Sequence, residues 1–123
     1  MVEQHERDRE PACLFCKIVA GDIPSARVYE DDRTYAFRDI SPVMPVHTLL
    51  IPKRHIANTL ALRPEHDAAV GALLRAAQEV ARLEGVDASG YRLVVNTGDD
   101  ALNTVPHLHV HLLGGRKMDW PPG

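Results

Sequence analysis

A chain of 123 residues has the length of one ordinary domain and leaves no room for two separate cores. Its formal charge of −3, with acids and bases interspersed, gives no broad positive field for tracking a nucleic-acid backbone, which disfavours polymer binding but not a mononucleotide. No apolar run approaches the ~20 residues a membrane span needs, and Met1 to Glu10 is polar rather than signal-like, so a soluble, cytoplasmic protein with no membrane partner is expected.

Residues 1–11 mix charges of both signs without apolar periodicity and read as a disordered tail, leaving 12–123 as a single domain whose end, 114–123, forms a C-terminal tail. Leu14 to Ala20 before Gly21 predicts a short helix closed by glycine. Ala26–Glu30 and Thr34–Arg38 flank Asp31-Asp32-Arg33 as two strands of a hairpin. A proline-bracketed loop, Asp39 to Pro45, leads into a third strand, His47–Ile51. Pro64 suits a first helical turn, and Val70, Leu73, Leu74, Ala77, Val80 and Ala81 recur at helical spacing until Gly85, which predicts one long helix. Tyr91–Asn96 reads as a fourth strand, Thr97–Pro106 as a loop and His107–Leu113 as a fifth strand. Five strands with too few helices for parallel crossovers imply an α+β domain built on a five-stranded antiparallel sheet, with one long and one short helix.

The fifth strand carries the chemistry. His107-Leu108-His109-Val110-His111-Leu112-Leu113 alternates without a break, which places three imidazoles on one face and Leu108, Val110 and Leu112 on the other. Three neighbouring rings each need partners and cannot all protonate cheaply, so a purely structural strand would carry threonine or valine here. A neutral imidazole attacks phosphorus well when its second nitrogen is held as a donor. His109, in the middle, is best placed for that; its flanking rings can bind phosphate oxygens, and Asn96 and Thr104 lie where they can add neutral donors.

That strand fits the histidine-x-histidine-x-histidine-x-x signature of the histidine triad superfamily, and the match runs from Cys13 to Gly123. The segments from Cys13 to Ser25, Phe37 to Pro42, His47 to Lys53 and Gly114 to Gly123 resemble the Hint branch, the closing Gly-Gly-Arg-x-Met-x-Trp-Pro-Pro-Gly most of all. The resemblance implies a purine nucleoside phosphoramidase that splits the P–N bond of nucleoside 5′-phosphoramidates through a covalent nucleotidyl-histidine intermediate. His109 matches the family nucleophile; His111 and His47 would support nucleophile and phosphate; Asn96, Asn103 and Thr104 would bind phosphate. Asp39 would hold the ribose hydroxyls beside Phe15, Ile18 and Ile40, a role that suits a carboxylate next to apolar groups able to sandwich a base, although a loop carboxylate also caps turns. The family implies a homodimer whose two sheets join into one ten-stranded layer, and Met118 and Trp120 have no obvious burial within one chain. Where Hint-like sequences carry glycines, this chain has Ala101 and Leu102, so Leu102 is expected to reshape that edge of the site.

Cys13 and Cys16 have metal-ligand spacing, and His55 and His107 stand outside the nucleophile role, which together would make a closed Cys₂His₂ zinc site. Bacterial histidine triad proteins with these four residues look similar. Two inert buried thiols or a redox pair are the alternatives. His5 and His66 read as solvated surface residues. Two rival functions stay open: a mononuclear zinc hydrolase whose strand histidines bind metal directly, and a nonenzymatic nucleotide sensor.

Overall fold

The computed structural model describes residues 10–123. The expected N-terminal tail and His5 therefore lie mostly outside the described residues. Glu10 is tied down, its carbonyl accepting the Cys13 N–H at 2.9 Å and its own N–H facing Cys16 Sγ at 3.4 Å.

Among the described residues two α-helices and five strands follow in the expected order. Helix α1 spans Leu14–Ala20; Cys13 caps its start, its sulfur accepting the Cys16 N–H. Gly21, at φ +83°, ends it, with Gly21 N–H returned to Ile18 O and Asp22 N–H to Lys17 O. Only glycine enters that left-handed region without a steric cost, which is why the helix stops there. Strands β1 (Arg27–Glu30), β2 (Thr34–Arg38), β3 (Val46–Pro52), β4 (Tyr91–Val94) and β5 (Val110–Gly114) form one antiparallel sheet in the order β1-β2-β3-β5-β4. Helix α2 (Asp67–Leu83) follows a 3-10 turn at Pro64–His66 and carries the chain from β3 across to β4. Both of those strands run antiparallel to β5 and hence parallel to each other, so a connection of this length is required between them.

The sheet is covered on both faces. Ala36, Leu50, Val110 and Leu112 point to one side and pack with Leu73, Ala76, Ala77 and Val80 of α2, the apolar stripe seen in the sequence. Tyr35, Phe37, Leu49 and Ile51 point to the other and pack with Phe15 and Ile18 of α1. Burial on both sides explains why β3 is inaccessible along nearly its whole length.

Four expectations need correction. The fifth strand begins at Val110, not His107, so His107, Leu108 and His109 precede the ladder, whose first pair with β3 is Leu50–Val110. Gly114 belongs to β5 rather than to the tail, and β4 stops at Val94, two residues short of Asn96. His66 is buried rather than solvated: its Nδ1 accepts the Arg63 N–H at 2.9 Å and closes the turn that starts α2.

Candidate active site and metal centre

The alternation that puts Leu108, Val110 and Leu112 against α2 sends the histidines to the α1 side. There Phe15 stands edge-on to both His107 and His109, with ring centroids 5.9 and 5.2 Å away, and also to Phe37 at 5.6 Å. Helix α1 thus supplies a hydrophobic wedge that fixes where the rings go.

Each imidazole has a tautomer set by the partner it faces. His109 Nδ1 lies 2.7 Å from the His107 carbonyl oxygen. A carbonyl can only accept, so the proton is on Nδ1 and Nε2 keeps its lone pair. His107 is the opposite case: its Nε2 is 2.9 Å from the Pro52 carbonyl and must donate, which leaves the lone pair on Nδ1. His47 Nδ1 accepts the Val43 N–H at 3.1 Å, so its proton is on Nε2, 2.9 Å from His111 Nδ1 and 3.3 Å from Asp39 Oδ2. His111 therefore accepts at Nδ1 and presents an N–H at Nε2.

The pairing of His47 with His111 follows from register. His47 sits opposite Leu113 and Leu49 opposite His111, which makes His47 and His111 diagonal neighbours on one face, their ring centroids 5.2 Å apart. His111 is also 5.0 Å from the His109 ring. Burial holds the His111 pKa down at about 4, with the neighbouring His109 and His47 adding to the effect and Asp39 opposing it. Burial also lowers His47, again against the pull of Asp39. Asp39 is shared: Oδ1 takes the Ser41 N–H at 2.8 Å, capping the loop, while Oδ2 faces His47.

His107 Nδ1 points away from the other two rings, toward Cys13 Sγ at 3.3 Å and Cys16 Sγ at 3.5 Å, and His55 Nδ1 is 3.4 Å from Cys16 Sγ. All four donor atoms lie within 4.8 Å of one another. Ligands on a tetrahedral zinc with bonds of about 2.0–2.3 Å are separated by about 3.5 Å, so this donor set fits such an ion, with the His107 lone pair already aimed inward. Neither cysteine is disulfide-bonded. Asp39, His47 and His111 also fall within ligand distance of each other, but the 2.9 Å contact between the two rings has a proton to occupy it and is a hydrogen bond. His109 belongs to neither donor group among the described residues.

The remaining site residues scatter more widely. Ile18 is buried beside Phe15, whereas Ile40 is 97% exposed. Asn96 is half-buried just past β4. Asn103 is half-buried, and its Oδ1 is enclosed without a hydrogen-bond partner among the described residues. Thr104 lines a cavity of about 560 Å³ with Glu10, Cys13, Leu14 and His55, on the metal-centre side. Leu102 adopts φ +60°, so the backbone keeps a glycine-like conformation with a leucine in it, at a cost of about 1–2 kcal/mol. Sequence reading missed the Val43 N–H that sets the His47 tautomer and the Pro52 and His107 carbonyls that set the other two; backbone groups carry no residue signature.

A HIT domain family model matches residues 20–118. The chain belongs to the HIT domain family. It is 50% identical to a 14 kDa zinc-binding protein of Brassica juncea, covering 89% of this chain and 98% of that protein. It is 49% identical to the adenylylsulfatase HINT1 of Arabidopsis thaliana, over 89% and 76% of the two chains. Among solved structures it resembles a HIT family hydrolase from Legionella pneumophila with a TM-score of 0.87, 47% identity and coverage of 90% of this chain and 99% of that one. The five-stranded α+β architecture is thus that of HIT-family structures, and no helix among the described residues is long and apolar enough to cross a membrane.

The depressed His111 pKa has a consequence for stability. Below the ordinary imidazole value of 6.5 the unfolded chain takes a proton that folded His111 refuses until about pH 4. Its contribution is complete above pH 6.5 and falls away as the pH drops toward 4. Urea unfolding at a series of pH values is expected to show this loss, and His111→Gln, which has nothing to protonate, to make it smaller, the shares of His47 and His107 remaining.

Proposed function

We propose that this HIT-family protein is a nucleotide hydrolase that cleaves the P–N bond of purine nucleoside 5′-phosphoramidates, with His109 Nε2 as the nucleophile. The observation that carries this reading is the 2.7 Å hydrogen bond from His109 Nδ1–H to the His107 carbonyl. It leaves a lone pair on the other nitrogen of a residue that retains 9% exposure, and after attack the same carbonyl faces the imidazolium that forms. The Nε2–P bond forms as the P–N bond breaks, its electron pair leaving with the amine, which takes a proton from solvent. Water then attacks phosphorus, His109 Nε2 departs with its electron pair, and a nucleoside monophosphate is released.

His111 donates from Nε2 to a phosphoryl oxygen, held in that orientation by His47. Asn96, Asn103 and Thr104 add neutral contacts to the phosphate. The carboxylate of Asp39 receives the ribose hydroxyls, and Phe15, Ile18 and Ile40 form the apolar surface against the purine. The relative named an adenylylsulfatase supports an adenosine 5′-phosphoryl group as the part recognised, and makes sulfate a leaving group worth testing beside amines.

Cys13, Cys16, His55 and His107 hold zinc in this proposal, supported by the donor geometry and by relatives named as zinc-binding. When bound, the ion supplies structural cross-linking through a closed four-ligand set; the reaction needs no open position on it. The protein works in the cytoplasm as a homodimer whose sheets join. Strand β4 lies at the sheet edge, and Tyr91, Val95 and Trp120 are exposed there or in the following tail, apolar surface that pairing would cover.

Adenosine and guanosine phosphoramidates are expected to be turned over faster than dinucleoside polyphosphates, nucleotide sugars or adenylyl sulfate, and His109→Ala to lower the rate by about 10³-fold or more; full hydrolysis by that variant would defeat the assignment. Metal analysis of protein purified without added zinc should give about one zinc per chain, and a ratio near zero removes the site. Light scattering at micromolar concentration should report twice the chain mass, and a monomer refutes the dimer.

A further inference from the structure

The sheet does not hold the nucleophile. His107, Leu108 and His109 all precede Val110, where the β3–β5 ladder starts, so no ladder hydrogen bond fixes the position of His109. Phe15 and His111 pack against its ring, whose one hydrogen bond among the described residues is to the peptide group between His107 and Leu108. On one side its carbonyl takes the His109 Nδ1–H at 2.7 Å; on the other its N–H reaches Ile56 O at 2.6 Å. Ile56 follows His55, and the carbonyl belongs to His107. These two histidines are the imidazole members of the metal centre. The His107 ring is itself fully buried, its Nε2–H on Pro52 O and its Nδ1 on the two sulfurs.

From this we infer that the Cys13, Cys16, His55, His107 centre, when loaded, is what holds His109 in its reactive tautomer and orientation, with His107 acting as a positioning residue through its backbone carbonyl. The two stretches of chain that clamp the peptide, at 55–56 and 107–108, meet at the Leu108–Ile56 hydrogen bond and in the shared core packing of those two side chains, and this centre adds a tie between them and α1 beyond the Phe15–His107 ring contact. Without the ion the sulfurs and rings lose their common tie, the peptide is released, and the His109 Nδ1–H loses a fixed acceptor. The ring then samples both tautomers, and Nε2 is no longer uniformly free. The inference rests on the proposed role of His109, yet its first readout does not depend on turnover.

The test uses full-length protein with ¹⁵N-labelled histidine, read by long-range ¹H–¹⁵N spectra at about pH 8, above the ordinary imidazole pKa. Zinc-loaded wild type is expected to show His109 as a single Nδ1–H tautomer. His55→Ala removes only the half-buried donor and is expected to average the His109 ring nitrogens. It should also lower kcat about 10- to 100-fold with KM within about threefold. His55→Cys, which restores four donors as a Cys₃His set, should return both signals once zinc is bound. If His55→Ala does not fold, chelator-extracted wild type is read in its place, with zinc returned to reverse the change. A folded metal-free protein that keeps the Nδ1–H tautomer and wild-type kcat overturns the inference, as does a zinc-loaded His55→Cys protein in which the His109 ring stays averaged. Absence of phosphoramidate turnover in wild type would count against the proposed function alone, since the tautomer spectrum still decides the coupling.

Discussion

A carbonyl oxygen has no proton to give, and among the described residues two of them face imidazoles: Pro52 O on His107 and His107 O on His109. Their placement divides the work of two histidines that are chemically identical and only two residues apart. His107 is obliged to present Nδ1, and so turns a lone pair toward the cysteines; His109 is obliged to present Nε2, and so keeps one for an electrophile. The His47–His111 pair repeats the logic with a backbone N–H, from Val43, as its origin. The tautomers of the site's histidines descend from these backbone groups, which the sheet and its flanking loops hold in place.

Much of the fold could be read from the sequence because its signals were local and redundant. Gly21 after an apolar turn, Asp31-Asp32-Arg33 between two short strands, and the 3.6-residue rhythm from Val70 to Ala81 each rest on one element's own chemistry. The errors came where a local pattern continued past the reach of its partner. His107 to His109 keep the alternation of β5, but β3 offers no ladder pair beyond Leu50, so the strand ends where pairing ends. His66 looked like a surface residue at a helix start and is instead buried by closing its own turn.

The site was legible in its residue types and less so in its wiring. Alternating histidines announced a shared face, and Cys13-x-x-Cys16 announced a donor pair, because spacing alone carries both signals. The sequence reading already gives His107 to the cysteine pair; what spacing could not reveal is the Pro52 carbonyl that turns its Nδ1 there, or that Asp39 divides its two oxygens between the Ser41 N–H and His47. Those outcomes depend on chain segments far apart in sequence, such as 43 with 47 and 111, or 16 with 55 and 107. Leu102 adds that a left-handed turn can form without glycine, at φ +60°, with the backbone bearing the strain.

In the proposed function the candidate metal centre and the candidate nucleophile share one three-residue stretch, and the reactivity of His109 depends on how that stretch is held. The most direct test of the account is to quench the protein in alkali during turnover of an adenosine phosphoramidate and locate the covalent adduct by mass spectrometry and phosphorus NMR. The account predicts adenylate on Nε2 of His109. An adduct on Nδ1 of that ring, or on another residue, would contradict it.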